Sequence, residues 1–239
     1  MEWAYDLGGA PVGRVKKYQV AATNTTIGVP YLKTADGGTG IVLATVSGAV
    51  DFVGVNVDAA GTYVTSQQTD NSDTQRLTTI IVSPLAVYRA KMCGGAANEA
   101  LTVGTETTGS TTGLVVTVSG IDPNSPDMNE GVVWGYSGAN AGKVRRIITT
   151  SGSVANVTVA FPYDIAIGDE FLFSALSPTR TILAQFGTDM TNLDVSATLS
   201  GDATVITVEM LCGDKSGNGR TESYAFIQFA DSLFSGSLT

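Results

Sequence analysis

This chain is written in a short, repeated rhythm. Short runs rich in Val, Thr and Ile recur at close intervals, and each is cut off by glycine-centred turn chemistry. β-Branched side chains lose χ1 freedom in a helix and sit well on a pleated surface. Runs of this kind predict strands at Val15–Val20, Ile41–Val46, Val50–Val57, Thr62–Thr65, Leu77–Val82, Val87–Cys93, Leu114–Val118 and Gly131–Gly135. They continue at Val144–Thr149, Val154–Phe161, Glu170–Phe173, Arg180–Phe186, Asp194–Leu199, Val205–Cys212 and Ser223–Phe229. Val53, Val55 and Val57 share one strand face, with Gly54 and Asn56 opposite, and Val157 and Val159 alternate with Thr158. Asp36-Gly37-Gly38, Ser47-Gly48, Ser151-Gly152 and Ser200-Gly201-Asp202 are turns, because Gly admits positive φ and Asp or Ser closes local hydrogen bonds. Only Ala96–Leu101 suggests a turn of helix. With 31 Thr and 26 Val among 239 residues, the expected fold is all-β. It reads as a small β-barrel or sandwich domain followed by a second β domain, with little helix.

Ser83-Pro84 and Ser177-Pro178 sit where a chain leaves one unit for the next. The expected division is an N-terminal arm plus a β-barrel-like domain over 1–84 and a second β domain over 85–239. Within the latter, 85–178 and 179–239 could complete one sandwich.

Charge and residue usage exclude several functions. Twenty-two acids against 13 bases give a net charge of −9, whereas nucleic-acid binding needs a basic field. The absence of His removes Ser-His, Cys-His and HExxH chemistry. No apolar run reaches the roughly 18–20 residues of a membrane span. Met1–Asp6 is acidic and aromatic, unlike a signal peptide, so the chain is expected to be made in a cytoplasm. Cys93 and Cys212 stand alone and read as buried small hydrophobes. Charged residues make up only 15% of the chain, below the usual quarter or so, so much of the surface must be Thr, Ser, Asn and Gly. Such a surface suits either a rigid extracellular-type module or a protein packed against copies of something else.

The stretches that could carry chemistry each have a plainer reading. Asp36-Gly37-Gly38-Thr39-Gly40 lacks the Lys-Ser/Thr ending of a phosphate loop and precedes a strand, so it reads as a hairpin turn. Asp122–Glu130 and Gly213–Gly219 are oxygen-rich without EF-hand spacing, and Lys215 opposes a cation in the second. Asp169-Glu170 point to opposite strand faces, and Asp189 with Asp194 is the other visible acid pair. No catalytic, cofactor-binding or metal residue is therefore assigned. Arg14, Lys16, Lys17, Lys143, Arg145 and Arg146 form two basic groups that either serve as solvated edge charges or meet an acidic partner surface. Trp3 and Tyr5, in a leading segment, are aromatics expected to dock on their own domain or on a neighbouring subunit. These eight residues are the expected interface.

Two stretches carry a resemblance. Gly28-Val29-Pro30 followed by Val53-Gly54-Val55-Asn56-Val57-Asp58-Ala59-Ala60-Gly61 resembles the small β-barrel module of tailed-phage capsid decoration, or cement, proteins. Gly138-Ala139-Asn140-Ala141-Gly142 leads into Lys143–Ile148; with Val157-Thr158-Val159 and Ile167–Phe171 it resembles phage head-associated β-proteins. The resemblance implies a virion structural protein on the capsid surface, not an enzyme. Its partner would be the major capsid protein, and it would form a homo-oligomer, a trimer first and a dimer second. Two alternatives stay open. One is a carbohydrate-binding module of a tail fibre or baseplate, with Trp134 and Tyr136 near Asn140 as its platform. The other is a self-assembling tail-tube-like protein.

Overall fold

A computed structural model describes residues 2–6, 15–20, 30–33, 40–43, 52–56, 61–62, 76–81, 86–94, 99–123, 128–186, 192–195, 203–216 and 221–230, with side chains described from Ala86 onward except at 183, 185 and 203. All regular structure in these residues is β. The first strands are β1 (Glu2–Asp6), β2 (Val15–Val20), β3 (Pro30–Lys33), β4 (Gly40–Leu43), β5 (Phe52–Asn56), β6 (Gly61–Thr62) and β7 (Arg76–Ile81). They are followed by β8 (Ala86–Cys93), β9 (Gly104–Glu106), β10 (Val115–Ser119), β11 (Val132–Gly135), β12 (Val144–Ser151), β13 (Val154–Val157) and β14 (Glu170–Ser174). The last are β15 (Thr181–Phe186), β16 (Asn192–Asp194), β17 (Ala203–Leu211) and β18 (Tyr224–Phe229).

The strands form three nested systems. β1 pairs with β8, which also pairs with β16 in parallel and with β18. β15 joins β16 to β17, and β17 pairs with β18, so this sheet curls until both its ends meet on β8. One edge of β8 is shared: residues 86–89 face β1 and residues 91–93 face β16. Between β1 and β8 the chain forms a second sheet, in which β2, β4, β3, β5 and β7 pair in a ring and β6 adjoins β7. Between β8 and β15 it forms a closed antiparallel barrel in the order β10-β13-β12-β11-β14-β9. The expected boundary at 84/85 falls between β7 and β8, while β1, from before it, pairs with β8, from after it.

Three strands escaped the sequence reading. β1 alternates Glu2, Ala4 and Asp6 with Trp3 and Tyr5, a strand period too short to stand out. β3 begins at Pro30, which the ladder tolerates at a strand start. β9 is only Gly104-Thr105-Glu106, with poor strand propensity, yet it bridges β10 and β14 and so closes the barrel. Gly104 is required there, since a Cβ would run into Val118 and Ile121. β13 stops at Val157 rather than Phe161. β16 lies earlier than Asp194–Leu199, whose last residues fall outside the described set. Of the expected helical turn at 96–101, residues 96–98 are outside the described set and 99–101 are irregular.

Register assigns the faces. Trp134 and Val132 pair with Leu172 and Ser174 on one face, and Val133 and Gly135 pair with Phe173 and Phe171 on the other. Trp134 donates from Nε1 to the carbonyl of Gly213, just beyond β17, at 3.1 Å, so its face is the outer one and lies against the curled sheet. Phe171 and Phe173 therefore fill the barrel with Val116, Val118, Ile147 and Ala155. β11 and β14 are buried on both faces, which explains their continuous apolar sequence. The curled sheet encloses Tyr88, Ala90, Leu193, Val205 and Ile227, with Phe229 edge-on to Tyr88 at 5.6 Å.

Candidate interaction surface

Two connections extend one end of the barrel: residues 107–114 between β9 and β10, and residues 158–169 between β13 and β14. They run together as an irregular ladder. Val157 N donates to Leu114 O at 3.0 Å and Phe161 N to Gly113 O at 2.9 Å. Ser110 and Ile165 exchange two bonds of 2.9 Å, and Gly168 N donates to Glu106 O at 2.9 Å. Gly113 has φ +63°, and a Cβ there would strike the Phe161 backbone, so only glycine allows this approach.

Buried polar side chains fix the ladder. Glu106 is 1% exposed and shares a face with Val118. Its Oε1 accepts from Thr108 N, Thr108 Oγ1 and Gly109 N at 3.0–3.2 Å, and its Oε2 accepts from Thr117 N at 2.8 Å. Asn140 is fully buried. Its Nδ2 donates to the carbonyl of Tyr163 at 3.0 Å while its Oδ1 accepts from Tyr163 N at 3.2 Å, latching 158–169 to the turn after β11. That turn is the Gly138–Gly142 stretch, with φ +76° and +74° at its two glycines. Asp169 Oδ2 accepts from Ala166 N at 3.0 Å.

Held this way, the ladder turns Phe161 and Ile165 inward and leaves Val159, Tyr163 and Ile167 outside, at 61%, 56% and 71% exposure. Leu114 and, on β12, Ile148 are also exposed. These five are all the exposed large apolar residues among the described side chains, and every one belongs to the barrel and its loops. A surface so held presents apolar area whose ordering cost is met before any partner arrives.

The residues marked as interface by sequence are distributed differently. Trp3 lies opposite Tyr88 and Tyr5 opposite Val87, so the leading segment is itself a strand on the chain's own sheet. Lys16 and Lys17 face Ile80 and Thr79 in register, and Arg14 lies outside the described residues. Lys143 is exposed. Arg145 and Arg146 separate, as neighbours on a strand must. Arg145 closes the barrel end: its Nε donates to Ala160 O at 2.8 Å, its Nη1 donates to Val144 O at 2.7 Å, and its guanidinium lies 5.3 Å from the centre of the Phe161 ring. Arg146 faces out, 4.0 Å from Glu130, an exposed pair worth little.

The other marked chemistry is structural where it is described. Trp134 is fully buried and offers no stacking platform, and Asn140 is committed to its latch. Glu170 bonds Lys215 at 2.9 Å, so the Lys215 ammonium holds the Glu170 carboxyl below its ordinary 4.5. Burial pushes the Cys212 thiol up to about 12, and Cys93 is buried. Residues 36–39, 124–127, 189 and 217–219 of the marked stretches lie outside the described set. Among the described residues no three Cys, Asp or Glu cluster as metal ligands, and no helix is long and apolar enough to cross a membrane. The exposed apolar row was not read from sequence. Its signal is apolar alternation running past a strand's length, Val157-x-Val159-x-Phe161-x-Tyr163-x-Ile165-x-Ile167. No family model, curated protein sequence or solved structure matches the chain.

Proposed function

We propose that this is a virion structural protein that decorates the outside of an assembled phage head and stabilises it by binding, without turnover. The observation that carries the reading is the exposure of Leu114, Val159, Tyr163 and Ile167 on the two barrel-end connections, which Glu106, Asn140 and the close approach at Gly113 hold in place. It joins the resemblance of the Val53–Gly61 and Gly138–Phe171 stretches to phage cement and head-associated proteins. A binder that meets only the assembled lattice stabilises it by mass action. A micromolar site is worth about 8 kcal/mol, and a symmetric shell multiplies that over its many copies. The partner is the major capsid protein, with the barrel loops as the contacting end and a trimer as the arrangement suited to three-fold positions. The test compares wild type with a Tyr163→Asp, Ile167→Asp double variant for co-sedimentation with undecorated heads. Wild type should pellet with the heads and the variant stay in solution. Equal pelleting of both removes the barrel end from the contact, and pelleting of neither removes the function.

A further inference from the structure

A cavity of about 350 Å3 opens at the seam between the barrel and the curled sheet. It is independent of the apolar row and of the decoration reading. Its apolar wall comes from both bodies: Met92 from β8, Leu172 from β14, and Leu101 from the link between them. Met92 and Leu172 are each 3% exposed, so this wall is fixed by the core itself. Tyr136 also lines it. Volume, position between two bodies and mixed lining are those of a small-ligand site.

The charges in the lining choose among ligands. Lys91 and Glu222 are ion-paired to each other, and Tyr224 donates its hydroxyl to the second oxygen of Glu222. That carboxylate is therefore satisfied, and Lys91 is neutralised as an anion receptor. Glu99 also lines the cavity, and its exposed carboxylate has neither a hydrogen bond nor an ion pair among the described residues. The carboxamide of Asn192, half-buried at the start of β16, is likewise without a partner there. The site thus offers one uncompensated negative charge, a free amide, an aromatic ring and an apolar floor. An anion would meet net repulsion, and a purely apolar guest would leave the carboxylate and amide unused. A cation on a short apolar stem suits both parts of this lining: Leu101 and Leu172 offer apolar surface to the stem, and Glu99, Asn192 and Tyr136 offer partners to the charge.

We propose that this cavity binds an ammonium or guanidinium group carried on a short aliphatic stem, presented either by a free amine or by a basic side chain of a protein partner. The test is amide-resolved NMR titration of the full chain with three probes: butylammonium, a blocked peptide with a central arginine, and N-acetylglutamate as the anionic control. Saturable shifts at Leu101, Tyr136 and Asn192 are expected with the cations and not with the control. Glu99→Gln, at an exposed position and with an unchanged melting temperature, should weaken binding about tenfold, the worth of one charge-assisted hydrogen bond. Binding by butylammonium identifies a free amine as sufficient, and binding by the peptide alone identifies a partner's side chain; both sustain the site. No saturable shift with either cation, equal shifts with N-acetylglutamate, or undiminished affinity in Glu99→Gln overturns it.

Discussion

Replacing Glu106 by Gln changes one atom of a buried carboxylate and tests whether that group organises the barrel end. Glutamine keeps the volume and keeps Oε1 for Thr108 and Gly109, but puts an NH2 where Oε2 accepts from Thr117 N at 2.8 Å. Two donors then face each other beside β10, at a side chain 1% exposed. A lost hydrogen bond with its donor left part-buried costs about 1–3 kcal/mol. In a chain of this length that lowers the melting temperature by roughly 3–10 °C. Glu106→Ala strands all four donors and should cost more, about 3–5 kcal/mol. Thermal melting followed by circular dichroism reads the loss, and hydrogen exchange at the Thr117 amide locates it, since that proton should lose protection in both variants. An unchanged melting temperature with Thr117 still protected would refute the assignment of Glu106 as the organising group.

Three further outcomes follow from the described contacts. Thr207 is fully buried with an unpartnered hydroxyl, so Thr207→Val should be neutral or raise stability by about 1 kcal/mol, read by denaturant midpoint; a clear loss would mean the hydroxyl has a partner. Lys215 depresses the Glu170 pKa, so the pair's stabilisation is present above pH 4.5 and lost as pH falls through the lower folded value. The melting difference between wild type and Glu170→Gln should be small at neutral pH, shrink in acid and shrink with salt. Burial holds the Cys212 thiol at about 12 and encloses Cys93, so neither should react with a thiol reagent at pH 8 until the chain is unfolded; rapid labelling of either in the native state would contradict this.

Much of the strand inventory was legible because Val and Thr runs mark strands locally. Val15–Val20 coincides with β2, and Val87–Cys93 falls within a residue of β8. What failed is what closure decides. Gly104-Thr105-Glu106 is a strand only because β10 and β14 need a neighbour, and the pairing of β1 with β8 spans the whole intervening ring. Face assignment also needed register. Nothing local says that Arg145 turns toward Phe161 while Arg146 turns out, or that Trp134 spends its indole N–H on Gly213. The exposed row was hidden for a related reason. Val159, Tyr163 and Ile167 have the same spacing as the buried Val157, Phe161 and Ile165 and differ from them only in Tyr for Phe, and the ladder with 109–114 separates them.

The proposed decoration role, in which the chain occupies area between neighbours on an assembled shell, is put to the proof by titrating purified protein onto undecorated heads and measuring bound copies per particle together with the particle's melting temperature. Decoration gives saturation at a fixed ratio to capsid subunits and a higher melting temperature at saturation. Heads that take up no protein, or take it up without a plateau and melt unchanged, would contradict it.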